Sequence, residues 1–91
     1  MSRSPSETTM KNCFKLSIEN EKPIMLDYWK SSLEKSVVIG VRESGEKLLV
    51  KNSEEYTSPI AKVFKSETEY IIMTENSLYC VCGSIDTKRI S

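Results

Sequence analysis

The sequence predicts a mainly β domain, built as a small antiparallel barrel or sandwich of about five or six strands. Its length of 91 residues fits one domain with a small core. Several short segments alternate apolar and polar residues or are rich in β-branched residues, as strands are. Turn residues separate these segments at intervals of about eight to twelve residues, a spacing typical of small β sandwiches and barrels.

The ends of the chain are expected to lie outside this domain, which covers residues 11–83. Residues 1–10 read MSRSPSETTM, a polar segment that predicts a disordered leader because it has nothing to bury. It also has no apolar stretch of the kind found in signal peptides. Residues 84–91 are interpreted as a flexible C-terminal tail.

We expect a cytoplasmic protein without a membrane segment. No apolar run approaches the roughly 18–20 residues that a membrane helix requires. The three cysteines form an odd number without the spacing of a disulfide framework, which favours free thiols in a reducing compartment.

The first part of the domain contains one predicted strand and one ambiguous segment. Residues 13–18 alternate apolar and polar side chains and predict a strand. A polar break follows and ends at Pro23, which cannot donate a hydrogen bond to a sheet. Residues 24–29 alternate again and favour a strand, but apolar residues also recur at every fourth position from Met25. A short helix near residues 24–35 is therefore the alternative.

The second part predicts two groups of strands. Residues 36–42 and 47–52 form a hairpin around Gly45. Gly40 lies within the first of these strands, where a glycine indicates a bulge or the close approach of another backbone. Three further strands complete a meander, over residues 60–65, 70–74 and 78–83.

The sequence lacks the residue patterns that catalysis and metal binding need. It contains no histidine, which removes the commonest general base and metal ligand. Cys80 and Cys82 share one face of a predicted strand, but a structural zinc site needs about four ligands, so we interpret both as core residues. No glycine-rich phosphate loop or G-x-S-x-G motif occurs. We therefore predict a non-enzymatic binding protein with no catalytic residue, metal or cofactor.

The charge balance ranks the classes of partner. The chain has 13 Lys and Arg against 13 Asp and Glu, for a formal net charge of zero. Four lysines would share a face if the two hairpins lay side by side: Lys47, Lys51, Lys62 and Lys65. Glutamates on the same hairpins would offset their field, so a protein partner is favoured over nucleic acid. A small barrel that binds nucleic acid or a small ligand is the alternative.

Two groups of residues are predicted to contact the protein partner, because aromatic side chains beside small polar ones act as interface anchors. Tyr28 and Trp29 form the first group, and the loop residues Tyr56, Thr57 and Ser58 form the second. The alternative for Trp29 is that it fills the open end of the core. Edge strands of a small meander need protection or pairing, so a homodimer formed through a strand is also expected.

Two short motifs carry a resemblance to a known class of proteins. They are Thr57-Ser58-Pro59-Ile60 and Thr74-Glu75-Asn76-Ser77-Leu78-Tyr79. In pairing a Thr-Ser-x-Ile segment with a Thr-x-Asn-Ser-x-Tyr hairpin ending, the chain resembles small uncharacterised β proteins of phages and other mobile elements. The resemblance brings no assigned activity. It implies a viral or mobile-element accessory protein that binds a host or viral protein in the host cell cytosol.

Overall fold

The computed structural model describes residues 4–90. Within that range the chain forms three layers: a helical layer, a four-stranded sheet (sheet A) and a three-stranded sheet (sheet B). The helices are α1 (Glu7–Asn20) and α2 (Trp29–Leu33). The strands are β1 (Ile24–Met25), β2 (Val38–Val41), β3 (Lys47–Val50), β4 (Ile60–Ser66), β5 (Glu69–Thr74), β6 (Leu78–Cys82) and β7 (Asp86–Arg89). Neither helix in the described range is long and apolar enough to cross a membrane.

Sheet A has the strand order β1-β6-β5-β4, and sheet B has the order β3-β2-β7. In sheet A, β4, β5 and β6 form the predicted antiparallel meander, and β1 pairs parallel to β6. In sheet B, β2 and β3 form the predicted hairpin, and β7 pairs parallel to β2. The mainly β prediction is confirmed, and the two packed sheets are sandwich-like. Among residues 4–90 there are seven strands rather than the expected five or six, two pairings are parallel, and the sheets do not join into a closed barrel.

Sheet A is the middle layer, and its central strands are buried on both faces. Ile71 points to the helical layer, where it belongs to one apolar cluster with Cys13 and Trp29. The next residue, Ile72, points to sheet B and belongs to a second cluster with Leu49. Neighbouring residues of a strand face opposite ways, so a strand covered on both sides needs apolar side chains at nearly every position. This requirement explains the continuous apolar run in β5.

The strand predicted over residues 13–18 is wrong, since this segment is part of α1. Phe14 and Ile18 are 53% and 79% exposed, so the alternating pattern does not mark a buried face. Ser6 caps the helix, because its Oγ accepts a hydrogen bond from the Thr9 N–H at 3.1 Å. The sequence contains this cap signal, but it lies in the polar segment that was interpreted as a leader.

The disordered leader expected over residues 1–10 is corrected for residues 7–10, which form the first turn of α1. The start of this helix is held on sheet A, because the Ser6 N–H donates to the carboxylate of Glu69 at 3.1 Å. That carboxylate also complements the positive end of the helix dipole. Residues 1–3 of the predicted leader lie outside the described residues.

The flexible tail expected over residues 84–91 is corrected for residues 86–89, which form β7. All four side chains of this strand are exposed, so its order comes from backbone pairing with β2. The Ile90 N–H continues that pairing by donating to the Val41 carbonyl at 3.0 Å. Residue 91 lies outside the described residues.

The segment of residues 24–35 contains both elements that the sequence allows. β1 is two residues long and pairs parallel to β6. The chain then turns, and the Trp29 N–H donates to the Leu26 carbonyl at 3.1 Å where α2 begins. The short helix near residues 24–35 is therefore present, and the strand predicted over residues 24–29 is restricted to its first two residues.

Candidate functional site

The structure places Tyr28 and Trp29 in the core, which corrects their prediction as exposed partner anchors. Trp29 is 6% exposed and lies in the cluster between the helices and sheet A. Tyr28 is 8% exposed and lies in the cluster between the two sheets. Its ring meets that of Tyr79 edge to face, with 5.4 Å between centroids. The alternative assignment of Trp29 as a core residue is the one that the structure supports.

The Tyr28 ring is also covered from the solvent side. Lys51 Nζ lies 4.7 Å from the ring centroid and donates to the Asp27 carbonyl at 3.2 Å. Burial raises the pKa of the Tyr28 phenol, and the nearby Tyr79 hydroxyl adds to this shift. Tyr28 is therefore held as a neutral phenol that supports the fold.

Thr57 has a structural role at the open edge of β3. Its side chain is 7% exposed, and its Oγ1 accepts a hydrogen bond from the Leu49 N–H at 3.1 Å. The same hydroxyl donates to the Ser58 carbonyl at 2.8 Å, and the Thr57 N–H donates to the Leu49 carbonyl at 2.9 Å. Thr57 therefore covers backbone groups that an edge strand would otherwise leave open.

Ser58 links the two short motifs of residues 57–60 and 74–79. The Asn76 side-chain amide donates to Ser58 Oγ at 2.8 Å. In the same region Ile60 pairs with Thr74 across β4 and β5. Thr74 Oγ1 accepts hydrogen bonds from the backbone N–H groups of the β5–β6 turn at 3.2 and 3.1 Å. The motif residues thus meet in space, and these hydrogen bonds stabilise turns.

Tyr56 differs from the other four predicted residues because its ring is 54% exposed. It forms a backbone bridge with Val50 beside sheet B. The two residues help line a groove of about 480 Å³. We call it the outer groove, and its lining residues are Arg42, Leu48, Val50, Asn52, Ser53, Tyr56 and Ile90.

The strand register explains why apolar side chains gather on this outer face of sheet B. Gly40 pairs with Leu48 on one side and with Lys88 on the other. Paired residues of adjacent strands share a face, and so do residues two apart in one strand. Leu48, Val50 and Ile90 therefore lie on the face opposite to the core residue Leu49.

Gly40 makes room for Ile90 at one wall of the outer groove. A Cβ atom on Gly40 would lie 2.8 Å from Ile90 Cδ1 and 3.0 Å from Val50 Cγ2. The expected bulge does not occur at this glycine, since β2 and β3 pair in regular register there. The close approach is made by side chains rather than by another backbone. The missing side chain at Gly40 thus allows Ile90, which is 39% exposed, to lie across β2.

Charged residues of both signs surround one end of the outer groove. Arg42 Nη1 lies 3.5 Å from Glu46 Oε1. Lys47 and Arg89 pair with Val41 and therefore lie on the other face of sheet B, the face of Leu49. The shared lysine face that side-by-side hairpins would have formed does not occur, because Lys47 belongs to sheet B whereas the two lysines of β4 belong to sheet A.

The lining of the outer groove is suited to binding rather than to acid–base chemistry. Its titratable side chains are Arg42 and Tyr56, and the others are aliphatic or neutral polar groups. Within residues 4–90, no group of three or more Cys, Asp or Glu side chains is arranged to hold a metal ion. The arrangement can bury apolar side chains of a partner and pair with charges at its rim.

Sequence reasoning identified Tyr56 but missed Leu48, Val50 and Ile90. The alternation in β3 indicates that Leu48 and Val50 share a face, but it does not tell which face of the hairpin is covered. Ile90 lies in the segment that was interpreted as a tail, so its place beside Gly40 had no local signal. The groove depends on tertiary pairing of β7 with β2.

Comparisons with known proteins do not assign this surface. No family model matches the chain, and neither the curated proteins nor the solved structures contain a match to it.

Proposed function

We propose that the chain is a non-enzymatic protein-binding module and that the outer groove is the centre of its contact surface. The observation that carries this proposal is an apolar groove of about 480 Å³ beside a tyrosine ring that is 54% exposed. Exposed aromatic side chains next to aliphatic ones are typical anchors of protein interfaces. Tyr56 supplies that anchor here.

The outer face of sheet B is unusually apolar for a face without a covering layer. An antiparallel sheet with one face toward solvent normally carries polar side chains on that face. Here Val50 is half-buried and Ile90 is 39% exposed, whereas Leu48 is only 2% exposed and already buried. The other large exposed apolar residues lie away from this lining, on α1, at the end of β1 and on β4: Phe14, Ile18, Leu26 and Val63. A partner that covers the outer face would remove this apolar surface from water.

The size of the groove indicates how the partner binds. Its volume of about 480 Å³ admits one or two apolar side chains. A stable interface buries about 800 Å² on each partner, so the contact extends beyond the groove onto the charged rim. There the Arg42–Glu46 pair offers both signs of charge to a protein surface. The resemblance to phage and mobile-element proteins supports a host or viral protein as the partner.

The test combines site-specific crosslinking with affinity measurement. A photo-crosslinking amino acid is placed at position 56 and, as a control, at position 14, where Phe14 is 53% exposed on α1. Adducts formed in cells of the source organism are identified by mass spectrometry, and the identified partner is then purified. We expect Tyr56→Ala to raise its Kd at least tenfold, about 1.4 kcal/mol, while Phe14→Ala leaves Kd unchanged.

Two outcomes would contradict this proposal. One is equal crosslinking from positions 56 and 14. The other is an unchanged Kd for Tyr56→Ala in a variant that melts like the wild type. Either result would move the contact surface away from the outer groove.

A second candidate is nucleic-acid binding at the turn end of sheet B. Four cations lie there, in the β2–β3 turn, at the start of β3 and in β7: Arg42, Lys47, Lys88 and Arg89. Glu43 and Glu46 belong to the same turn and reduce their field. Binding to oligonucleotides with an affinity that falls steeply as salt rises would favour this candidate. Absence of binding at low salt would eliminate it.

Homodimerisation through an edge strand is our proposal for the assembly state. β4 has seven residues and ends the strand order of sheet A. Its side chains Ala61, Lys62, Val63 and Lys65 are exposed. The two lysines disfavour edge pairing, so we expect a dimer only at high concentration. Size-exclusion chromatography with light scattering would refute the proposal by giving a monomer mass at high micromolar concentration.

A further inference from the structure

Two buried thiols lie in contact between α1 and sheet A. Cys13 belongs to α1 and Cys80 to β6, and both are fully buried. The Cys80 thiol donates to the Cys13 sulfur across 3.3 Å. A disulfide bond is about 2.05 Å long, so the sulfurs need to approach by roughly another 1.3 Å. Small side-chain rotations could supply such a movement.

We propose that Cys13 and Cys80 form a modification site. Hydrogen peroxide oxidises the two thiols to a disulfide bond, which joins α1 to β6. In the first step the Cys13 thiolate attacks one oxygen of hydrogen peroxide and breaks the O–O bond. Cys13 becomes a sulfenic acid, and the hydroxide that leaves takes up a proton and becomes water. In the second step the Cys80 sulfur attacks the sulfenic sulfur, a disulfide forms, and a second water leaves with the Cys80 proton. Two thiols thus lose two electrons, and the peroxide O–O bond is reduced to two waters.

The hydrogen bond between the two thiols assigns the order of these steps. It lowers the pKa of the Cys13 thiol, although burial opposes that shift. It raises the pKa of the Cys80 thiol, and burial adds to that shift. Because the thiolate is the nucleophile, Cys13 attacks the peroxide and Cys80 resolves the sulfenic acid.

Hydrogen bonds from Ser6 and Thr9 hold the start of α1 on sheet A, so access to these thiols depends on opening of the rest of the helix. Among the residues of this helix, Thr9 and Cys13 are buried, whereas Phe14 and Ile18 are largely exposed. Segments with few buried apolar side chains open at low free-energy cost. Opening of α1 exposes both sulfurs to peroxide, and the disulfide that forms on closing prevents further opening.

Cys82 provides the matched control because it is the third cysteine and lies outside the pair. It is half-buried, and its Sγ lies 3.1 Å from Ser84 Oγ. The experiment treats the reduced full-length chain with hydrogen peroxide, blocks free thiols with N-ethylmaleimide and measures the intact mass. We expect loss of two hydrogen masses and one maleimide adduct in place of three, with a mapped peptide that links Cys13 to Cys80. Cys82→Ser should lose the same two hydrogens and take up no maleimide.

The oxidised protein should also be more stable than the reduced one. The bond would join residues 67 positions apart, and closing a loop of that length should raise the melting temperature by more than about 10 °C. Dithiothreitol should reverse the shift. Three maleimide adducts after peroxide, a link that includes Cys82, or Cys13 ending as a sulfinic acid would each overturn the proposal. The peptide map is made on the wild-type chain, so the result does not depend on whether Cys13→Ser folds.

Discussion

Replacing Trp29 by alanine is expected to lower the free energy of unfolding by about 3–5 kcal/mol. The indole is 6% exposed, so its burial removes about 200 Å² from water. At about 25 cal/mol per Å² this corresponds to about 5 kcal/mol. The alanine methyl group retains part of that burial, and partial collapse of the neighbouring side chains recovers more. Folded chains of this length have about 5–14 kcal/mol of stability in total, so the loss would be a large fraction.

The assay is urea unfolding followed by far-ultraviolet circular dichroism. Trp29 is the single tryptophan of the chain, so its fluorescence cannot report on the variant. Tyr56→Ala is the matched control, since that ring is 54% exposed and its loss should change stability by less than about 1 kcal/mol. If Trp29→Ala loses less than about 1 kcal/mol with an unchanged m-value, the core placement is refuted and Trp29 returns as a surface anchor.

Three further predictions follow from contacts described above. Thr57→Val should lower stability by about 1–3 kcal/mol in urea unfolding, because the buried Leu49 N–H loses its side-chain acceptor. Gly40→Val should displace Ile90 and lower stability by about 1–3 kcal/mol, because the new Cβ would lie 2.8 Å from Ile90 Cδ1; limited proteolysis should then remove the C-terminal residues faster. Stability should fall as pH rises above about 10, because the folded pKa of Tyr28 is raised above its unfolded value, and Tyr28→Phe should reduce the slope of that fall.

Each of these predictions has a contradicting outcome. Thr68→Val, at an exposed position, should stay within about 0.5 kcal/mol of the wild type, and an equal loss at both threonines would contradict the role given to Thr57. Unchanged proteolysis of Gly40→Val would show that Ile90 does not depend on the missing side chain. An alkaline slope that Tyr28→Phe does not reduce would place the linkage elsewhere.

The hairpins could be predicted because their signals are local. Gly45 has a φ of 94°, a conformation that favours glycine, and it marks the β2–β3 turn. The alternation on both sides of that turn then shows which residues share a face, although not which of the two faces is covered. In the same way the apolar run of β5 predicts a strand without any knowledge of its neighbours.

The helix α1 and the strand β7 could not be placed from the same signals. Residues 13–18 alternate as a strand would, and the pattern does not reveal that Phe14 and Ile18 are exposed. β7 has no buried side chain, so its position depends on backbone hydrogen bonds to β2, which lies far away in sequence. Tertiary pairing therefore decided both cases over local preference.

Of the residues that line the candidate site, the sequence predicted Tyr56. Tyr56 follows two glutamates in a polar loop, which favours an exposed ring, and its exposure agrees with the partner-binding hypothesis. Tyr28 and Trp29 sit beside Asp27 and Lys30, so the sequence allowed either exposure or burial. Trp29 is buried because α1 packs on sheet A, and Tyr28 is buried because sheet B packs on the other side. The positions of α1 and sheet B could not be predicted from the residues next to Tyr28 and Trp29.

The middle position of sheet A has a consequence for the order in which the protein assembles. The meander β4–β6 joins segments that are adjacent along the chain, so it closes short loops and should form early. The helix α1 reaches its contact with β6 across 67 residues, and β7 pairs with a strand from the opposite half of the chain. The helix joins one face of sheet A, whereas β7 joins the edge of β2 in sheet B. The early meander would therefore serve as the template for the N-terminal helix, and the C-terminal strand would be added only after the β2–β3 hairpin has formed.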